Sequence, residues 1–167
     1  MTSTTIIGID NATSGALAVL AFNRPPQIIP FVTLPKVPKQ STELDDVWFH
    51  ETMQSLTALH GPVRVIAERA QKFSVGILAL CSTWACWGAI RMCLRAQKIP
   101  FVPIDPRTWQ AEMLRGIAGA NTKEKSIAQA KRLFPEANLR RSVRCTTDDD
   151  GMADALLIAE YGRRHNL

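Results

Sequence analysis

The chain has 167 residues, of which 46% are hydrophobic and 21% charged, with a formal net charge of +5. This length suits one domain spanning residues 1–167, and the composition excludes a disordered or collagen-like chain. The positive excess lies in the C-terminal half: residues 1–90 hold six basic and six acidic side chains, whereas residues 91–167 hold fourteen and nine. A one-sided basic surface favours a polyanionic partner, although a solvated face explains the charge equally well.

Three short apolar runs near the N-terminus predict an antiparallel meander. They cover residues 4–10, 16–22 and 27–34, and turn-forming residues separate them. Thr42 is then a candidate N-cap for a helix that ends at Gly61 and Pro62.

The rest of the chain alternates strands with helices. Residues 63–68 and 99–104 predict two more strands, separated by a helical stretch that carries no charge from Phe73 to Ile90 and runs on to about Gln97. Further helices are predicted from Pro106 to Leu114, from Thr122 as N-cap to Phe134, and over residues 152–163. This order predicts an α/β fold whose mixed five-stranded sheet has three antiparallel strands, then parallel strands, with helices flanking it.

Residues 73–90 carry no charge, and this stretch is just long enough for a membrane-spanning helix. Because the stretch contains Ser74, Ser82 and Thr83, we interpret it as a soluble helix and expect no membrane. One face would pack on the sheet and the other on a partner subunit. Burial of both faces within one subunit is the alternative.

The cysteine pattern bears on the compartment. Cys81, Cys86, Cys93 and Cys145 form no Cys-x-x-Cys pair, and no histidine stands at zinc-ligand spacing. Three of the four lie in one apolar helical stretch, where a free cysteine behaves as a small apolar residue. The N-terminus also lacks the basic region of a signal peptide. We therefore expect a protein of the reducing cytoplasm, either bacterial or encoded by a phage and made in its host.

Acidic side chains end two of the predicted buried strands. Asp10 and Glu68 each follow an apolar run, where a charge is costly unless it is paired or binds a cation. If strands one and four are neighbours, both carboxylates project from adjacent strand ends. As alternatives, Asp10 caps the turn that follows it, and Glu68 pairs with Arg69 or Lys72.

A third acidic group opens the last predicted helix. Asp150 and Asp154 are four residues apart, so they share a helix face and repel each other. Helix capping explains the acids that precede the helix but leaves Asp154 unexplained. Taken together, such carboxylates suit hard divalent cations, which activate water in phosphodiester hydrolysis. With the basic C-terminal half, the pattern favours a metal-dependent phosphodiesterase over a binding module.

Several segments resemble RuvC-type Holliday-junction resolvases, and the last segment is most similar to the chloroplast and phage-type branch. The resemblance touches the whole chain except roughly residues 35–60. In chain order the segments are Ile6-Ile-Gly-Ile-Asp10 with residues 14–20, Val65-Ile-Ala-Glu68, residues 103–109, Thr122-Lys-Glu-Lys125, and residues 149–162.

The resemblance implies an RNase H-like fold and a crossover junction endodeoxyribonuclease. Such an enzyme resolves four-way junctions in branched DNA by paired, symmetric hydrolysis that leaves 5′-phosphate nicks. It also implies two Mg²⁺ ions per active site, with Mn²⁺ as a substitute and no nucleotide cofactor. The implied ligands are Asp10, which would bridge both ions, Glu68, Asp150 and Asp154, with Asp149 as the fallback for Asp150.

The resemblance further implies a set of DNA contacts. Lys123 matches a basic residue that touches the scissile phosphate, and Phe73 is a candidate junction wedge, with a core position as its alternative. Gln110 departs from the family, which often has lysine there, and we interpret Trp109 as a packing residue. The expected DNA-binding residues are Lys72, Phe73, Arg107, Lys123, Lys125, Arg140, Arg141 and Arg144.

A two-fold homodimer is implied as well, because a four-way junction has two symmetric cleavage points. The uncharged helix, with Leu80, Trp84, Trp87 and Ala89, is the segment that could supply the interface.

Three other functions compete. The nearest is another RNase H-like nuclease, one that cuts RNA–DNA hybrids or processes branched DNA. The Asp150 and Asp154 pair on a terminal helix disfavours the hybrid hydrolase. A fragment of a sugar-kinase or actin-like ATPase would need two such domains, which 167 residues cannot supply. A non-catalytic junction binder would have lost an acid, and all four expected positions are acidic.

Overall fold

The computed structural model describes residues 4–35, 42–71 and 76–167. Two of the expected DNA contacts, Lys72 and Phe73, lie outside these ranges.

One mixed sheet forms the centre of the molecule, and its spatial order is β3-β2-β1-β4-β5. β1 and β2 pair antiparallel, as do β2 and β3, whereas β4 runs parallel to both β1 and β5. The predicted mixed sheet is therefore confirmed. Its strands are β1 (Thr5–Ile9), β2 (Ala16–Leu20), β3 (Gln27–Pro30), β4 (Val63–Glu68) and β5 (Phe101–Ile104).

Helices cover both faces of the sheet, so the molecule has three layers. Two helices pack on one face, namely α1 (Asp46–His60) and α2 (Ile77–Ala96). Three pack on the other, namely α3 (Pro106–Met113), α4 (Thr122–Leu133) and α5 (Asp150–Arg164). The central strands β1 and β2 are buried along their whole length because both of their faces are covered.

Two helices have N-caps that differ from the predicted residues. Asp45, rather than Thr42, caps α1, and its side chain accepts a hydrogen bond from the Trp48 backbone N–H at 2.9 Å. The reason is that Leu44 is still extended and bridges to Thr33. Asn121 similarly replaces Thr122 as the cap of α4, since its side chain accepts from the Glu124 N–H at 3.0 Å.

The backbones of α5 and the central strand β1 lie very close together. A Cβ atom added at Gly8 would lie 2.2 Å from the Ala155 carbonyl oxygen and 2.4 Å from the Ala159 backbone nitrogen. Only a glycine in β1 and small residues on α5 let the two backbones approach this closely. This contact holds the N-terminus of α5 over the carboxyl end of β1, where the site lies.

Candidate active site

The two acids at the strand ends emerge side by side. β1 and β4 pair in parallel with Ile9 opposite Ala67, so Asp10 and Glu68 are the next residues at the same edge of the sheet. Both are nearly enclosed, with 7% of Asp10 and 8% of Glu68 exposed. The expectation that strands one and four are neighbours is confirmed, and it brings these two carboxylates together.

The start of α5 brings the other acids to the same place. A Cβ atom at Gly151 would lie 2.9 Å from Oδ2 of Asp10, so the first turn of α5 closely approaches that carboxylate. Asp150 precedes this glycine and Asp154 follows one turn later. All four predicted acids line one cleft of about 430 Å³, together with Lys123.

Burial and mutual repulsion shift the titration of these acids. Burial raises the pKa of Asp10 well above its usual range, and the charges of Glu68 and Asp154 raise it further. Burial likewise raises the pKa of Glu68 to about 7 and that of Asp154 to about 7. Ionised carboxylates in one enclosed cleft repel each other, so positive charge bound among them would stabilise the ionised forms.

The donor set fits a divalent cation. Oδ1 of Asp154 is buried and has no hydrogen-bond partner within residues 4–35, 42–71 and 76–167, although the Ser126 hydroxyl is near enough to lower the pKa of that carboxyl in part. Oxygen ligands of this kind are the ones Mg²⁺ prefers. Among the described residues, no three His, Cys, Asp or Glu side chains are already arranged to hold an ion.

Each of the three consecutive aspartates pairs with a different basic side chain. Asp148 pairs with Lys131, Asp149 with Arg141, and Asp150 with Lys123. The Lys123 ammonium lies 2.9 Å from Oδ2 of Asp150, and this pairing raises the pKa of the lysine.

Asp149 has a role of its own at the start of α5. Its Oδ1 accepts from the Met152 backbone N–H at 2.9 Å, which makes it the N-cap of the helix. The Arg141 guanidinium bonds both of its oxygens and also reaches the carbonyl oxygen of Gly15 at 3.3 Å. Because both oxygens of Asp149 are occupied, Asp150 is the better candidate ligand of the two.

The remaining predicted DNA contacts are not among the residues that line the cleft, and they differ in exposure. Arg107, Arg140 and Arg144 are exposed, whereas Lys125 is half-buried. Arg141 is committed to Asp149, so its first role is to hold the segment that precedes α5. Gln110, at the position where a lysine was expected, lines the cleft with the acids.

Sequence reasoning missed the partner of Glu68. The indole N–H of Trp109 donates to Oε2 of Glu68 at 2.8 Å, and the ring is fully buried. The ion pair with Arg69 that was an alternative for Glu68 does not form, and Lys72 lies outside the described residues. One signal was available: a buried tryptophan needs an acceptor for its N–H, and Trp109 follows the strand next to β4.

Asn11 was also missed, because in the sequence it is only a turn residue. It follows Asp10, lines the same cleft, and is 3% exposed. Both polar atoms of its side chain are buried, and neither has a hydrogen-bond partner in the part of the chain that the structure describes.

The uncharged helix is oriented differently from the expectation. Trp87 is 6% exposed and stacks edge-on against Phe101 within its own chain, so it belongs to the core. Ala89 and Leu80 are half-buried, and only Trp84 of the four expected interface residues is exposed, at 46%. Five of the exposed residues follow a helical period, and we call them the α2 stripe: Ile77, Cys81, Trp84, Gly88 and Met92. Leu78 is exposed beside them.

By length and composition, α2 is long and apolar enough to cross a membrane. It is the one helix among those described that meets this criterion. Core helices of soluble proteins also meet this criterion. The inner face of α2, through Cys86, Ile90 and Leu94, is packed on the sheet.

No family model and no curated protein matches the sequence. Solved structures do match. Thermus thermophilus RuvC in complex with a Holliday junction substrate aligns with a TM-score of 0.66 and 18% identity, over 98% of this chain and 94% of that one. The fold is that of the RuvC resolvases. A second Thermus thermophilus RuvC structure aligns with a TM-score of 0.62 and 16% identity, over 98% and 97% of the two chains.

A eukaryotic RuvC-like structure matches as well. The yeast mitochondrial Holliday junction resolvase Ydc2 aligns with a TM-score of 0.56 and 14% identity, over 97% of this chain and 78% of that one. The predicted RNase H-like fold is confirmed. At this level of identity the neighbours establish the fold alone. The roles of individual residues rest on the geometry of the site. The expected place in the chloroplast and phage-type branch stays a prediction.

Proposed function

We propose that this protein is a metal-dependent endonuclease that resolves four-way DNA junctions by paired symmetric cuts, leaving 5′-phosphate nicks. The observation that carries the proposal is the meeting of four carboxylates, from β1, β4 and α5, in one cleft of a RuvC fold. One structural neighbour is RuvC bound to a Holliday junction substrate, and another is a yeast junction resolvase.

The four acids are our proposed ligands for two Mg²⁺ ions, with Mn²⁺ as a substitute. Asp10 lies between Glu68 on one side and the start of α5 on the other, which favours it as the residue shared by both ions. Asp150 and Asp154 would complete the site from α5, with Asp149 as the fallback. When bound, the two ions would supply the charge that activates the attacking water and stabilises the leaving oxygen.

Lys123 is the proposed contact to the scissile phosphate. Its side chain is 73% exposed at the mouth of the cleft, and its ammonium group is held there by Asp150. A phosphate entering the cleft would offer this lysine a second anionic partner. Lys125, Arg107, Arg140 and Arg144 are proposed contacts to the DNA backbone on either side, where each neutralised phosphate strengthens binding at low salt.

We propose a two-fold dimer in which the α2 stripe forms the interface. An isologous interface would present two clefts at a fixed separation, which suits the two symmetric strands of a junction. The stripe supports this arrangement because its apolar side chains are exposed in the single chain, Ile77 by 77% and Met92 by 66%. We further propose that residues 1–167 act as one domain, in the cytoplasm and without a nucleotide cofactor.

The proposal is tested by cleavage of labelled DNA in Mg²⁺ or EDTA. The substrates are a mobile four-way junction, a linear duplex and an RNA–DNA hybrid. Wild type should cut the junction alone, with paired symmetric nicks, and only in Mg²⁺. Asp10→Asn should lower the rate more than about 100-fold, since losing a metal ligand costs more than losing its supporting partner. Junction binding by Asp10→Asn should persist.

Asp148→Asn is the matched control, because Asp148 pairs with Lys131 and is not among the residues that line the cleft. It should cut at nearly the wild-type rate. Cutting of the hybrid by wild type would assign the site to a different RNase H-like nuclease. Tight junction binding by wild type without cutting would instead identify a non-catalytic binder.

A further inference from the structure

Glu68 is held by a side chain from a different part of the chain. β5 pairs with β4 so that Ile104 lies opposite Glu68, and α3 begins two residues later at Pro106. Asp105 caps α3 and accepts from the Arg107 backbone N–H at 3.0 Å. This short connection brings Trp109, one turn into α3, beside the Glu68 carboxylate.

The contact is a single, well-defined hydrogen bond. The Trp109 Nε1 atom lies 2.8 Å from Oε2 of Glu68. An indole has one donor and no acceptor, so Trp109 can hold one carboxylate oxygen and nothing else. Among the described residues, Oε1 of Glu68 has no hydrogen-bond partner, which leaves that oxygen for another ligand.

The ring that makes this bond is itself immobilised. Trp109 is 0% exposed and packs with Met113, Met152 and Leu156 in the apolar layer under α5. A rigid, buried donor fixes both the position and the rotation of the carboxylate it bonds, at little further entropic cost. Partners of this kind orient metal ligands in proteins, and losing them typically weakens metal affinity or activity by about 10–100-fold.

We propose that Trp109 is a positioning residue for the metal site, which it serves by orienting Glu68 for cation binding. This inference rests on the proposed function, since it assigns Glu68 a metal. It goes beyond packing: a residue that only filled the core would affect folding, whereas Trp109 should set the Mg²⁺ affinity of the folded protein.

The test compares two changes at residue 109. Trp109→Phe keeps an aromatic ring and removes the donor. Incorporating benzothienylalanine at the same position keeps the size of the indole and replaces the N–H with sulfur, so it covers the case in which the phenylalanine variant does not fold. Mg²⁺ binding is measured by calorimetry, and the Mg²⁺ midpoint of junction cleavage is measured separately.

Both variants should bind Mg²⁺ about 10-fold more weakly and need correspondingly more Mg²⁺ for cleavage, at the lower end of the range for such partners. Junction binding in EDTA should be unchanged. In a Glu68→Gln background the Trp109→Phe change should have no further effect on Mg²⁺ binding, because the two residues act as one unit.

Trp87→Phe is the matched control, since Trp87 is also a buried tryptophan but lies on the opposite face of the sheet. It should leave the Mg²⁺ midpoint at the wild-type value. An unchanged midpoint in both residue-109 variants, or an equal shift in Trp87→Phe, would overturn the inference while wild-type cleavage still supported the proposed function. Wild type that neither binds Mg²⁺ nor cuts would overturn both.

Discussion

Two long apolar helices, α2 and α5, lie on opposite faces of the sheet. They differ greatly in how much of their surface is buried. Nearly every residue of α5 from Gly151 to Gly162 is buried, including Glu160. The longer α2 buries only Cys86, Trp87, Ile90, Cys93 and Leu94. In the first turns of α2 most apolar residues are exposed, among them Ile77, Leu78 and Trp84, whereas Leu80 is half-buried.

The difference shows that apolar composition alone does not determine burial. α5 carries small residues where it crosses β1, so its backbone can lie against Gly8 and its first turn can reach Asp10. α2 carries large residues on two faces and has the sheet on only one. The acidic cleft therefore depends on α5, whereas α2 leaves an exposed apolar surface, which is the proposed dimer interface.

The largest effect should come from filling the contact under α5. Gly8→Ala would place a methyl group against the backbone of Ala155 and Ala159, so it should destabilise the protein by about 3 kcal/mol or more. That corresponds to a fall in Tm of roughly 6–12 °C, measured by calorimetry in dilute protein.

Gly88→Ala is its counterpart on α2, where a Cβ atom would meet nothing within 4 Å. Replacing a glycine within a helix should stabilise the chain by about 0.5–1 kcal/mol. Similar Tm values for the two variants would contradict the contrast between the helices.

The next effect concerns the α2 stripe. Ile77→Glu and Met92→Glu each place a charge at the proposed interface, where an unpaired buried charge costs about 3 kcal/mol or more. Sedimentation should show the dimer dissociation constant rising on the order of 100-fold. Phe22→Glu changes an apolar residue that is 69% exposed outside α2, so it should leave the dimer intact. If the wild type were a monomer at micromolar concentration, the proposal that the α2 stripe forms a dimer interface would be wrong.

The smallest effect should appear in the pH dependence of stability. Glu68 and Asp154 have ordinary pKa values of 4.5 and 3.8 and folded pKa values of about 7. Between these limits the folded state holds more protons than the unfolded state. The contribution of both groups to stability is therefore present below about pH 4 and is lost as the pH rises through 7.

In EDTA, thermal melts should show this loss between pH 5 and 8. Asp10→Asn removes one of the repelling charges, so it should raise Tm at pH 8 by roughly 4–8 °C, which is about 2 kcal/mol. Saturating Mg²⁺ should raise the wild-type Tm at the same pH. A wild-type Tm that rises steadily with pH in EDTA would show that the acids do not repel as described.

Much of this protein follows from its local sequence. The order of strands and helices, the mixed sheet, and the acids Asp10 and Glu68 at strand ends were all predictable. Apolar periodicity reports which segments are buried, and a carboxylate after an apolar run is costly wherever the chain folds. The pairing of Asp150 with Asp154 was visible for the same reason, since their spacing alone puts them on one helix face.

Only the tertiary structure decided which side chains meet across long sequence separations. It gave Glu68 a partner in Trp109, assigned Asp149 to the cap of α5 with Arg141, and turned Trp87 inward while leaving Ile77 exposed. These outcomes depend on how far each helix rotates as it packs and on which strand ends lie side by side. Neither helix rotation nor the adjacency of strand ends can be predicted from a local pattern, because both are set by contacts between segments that are distant in the chain.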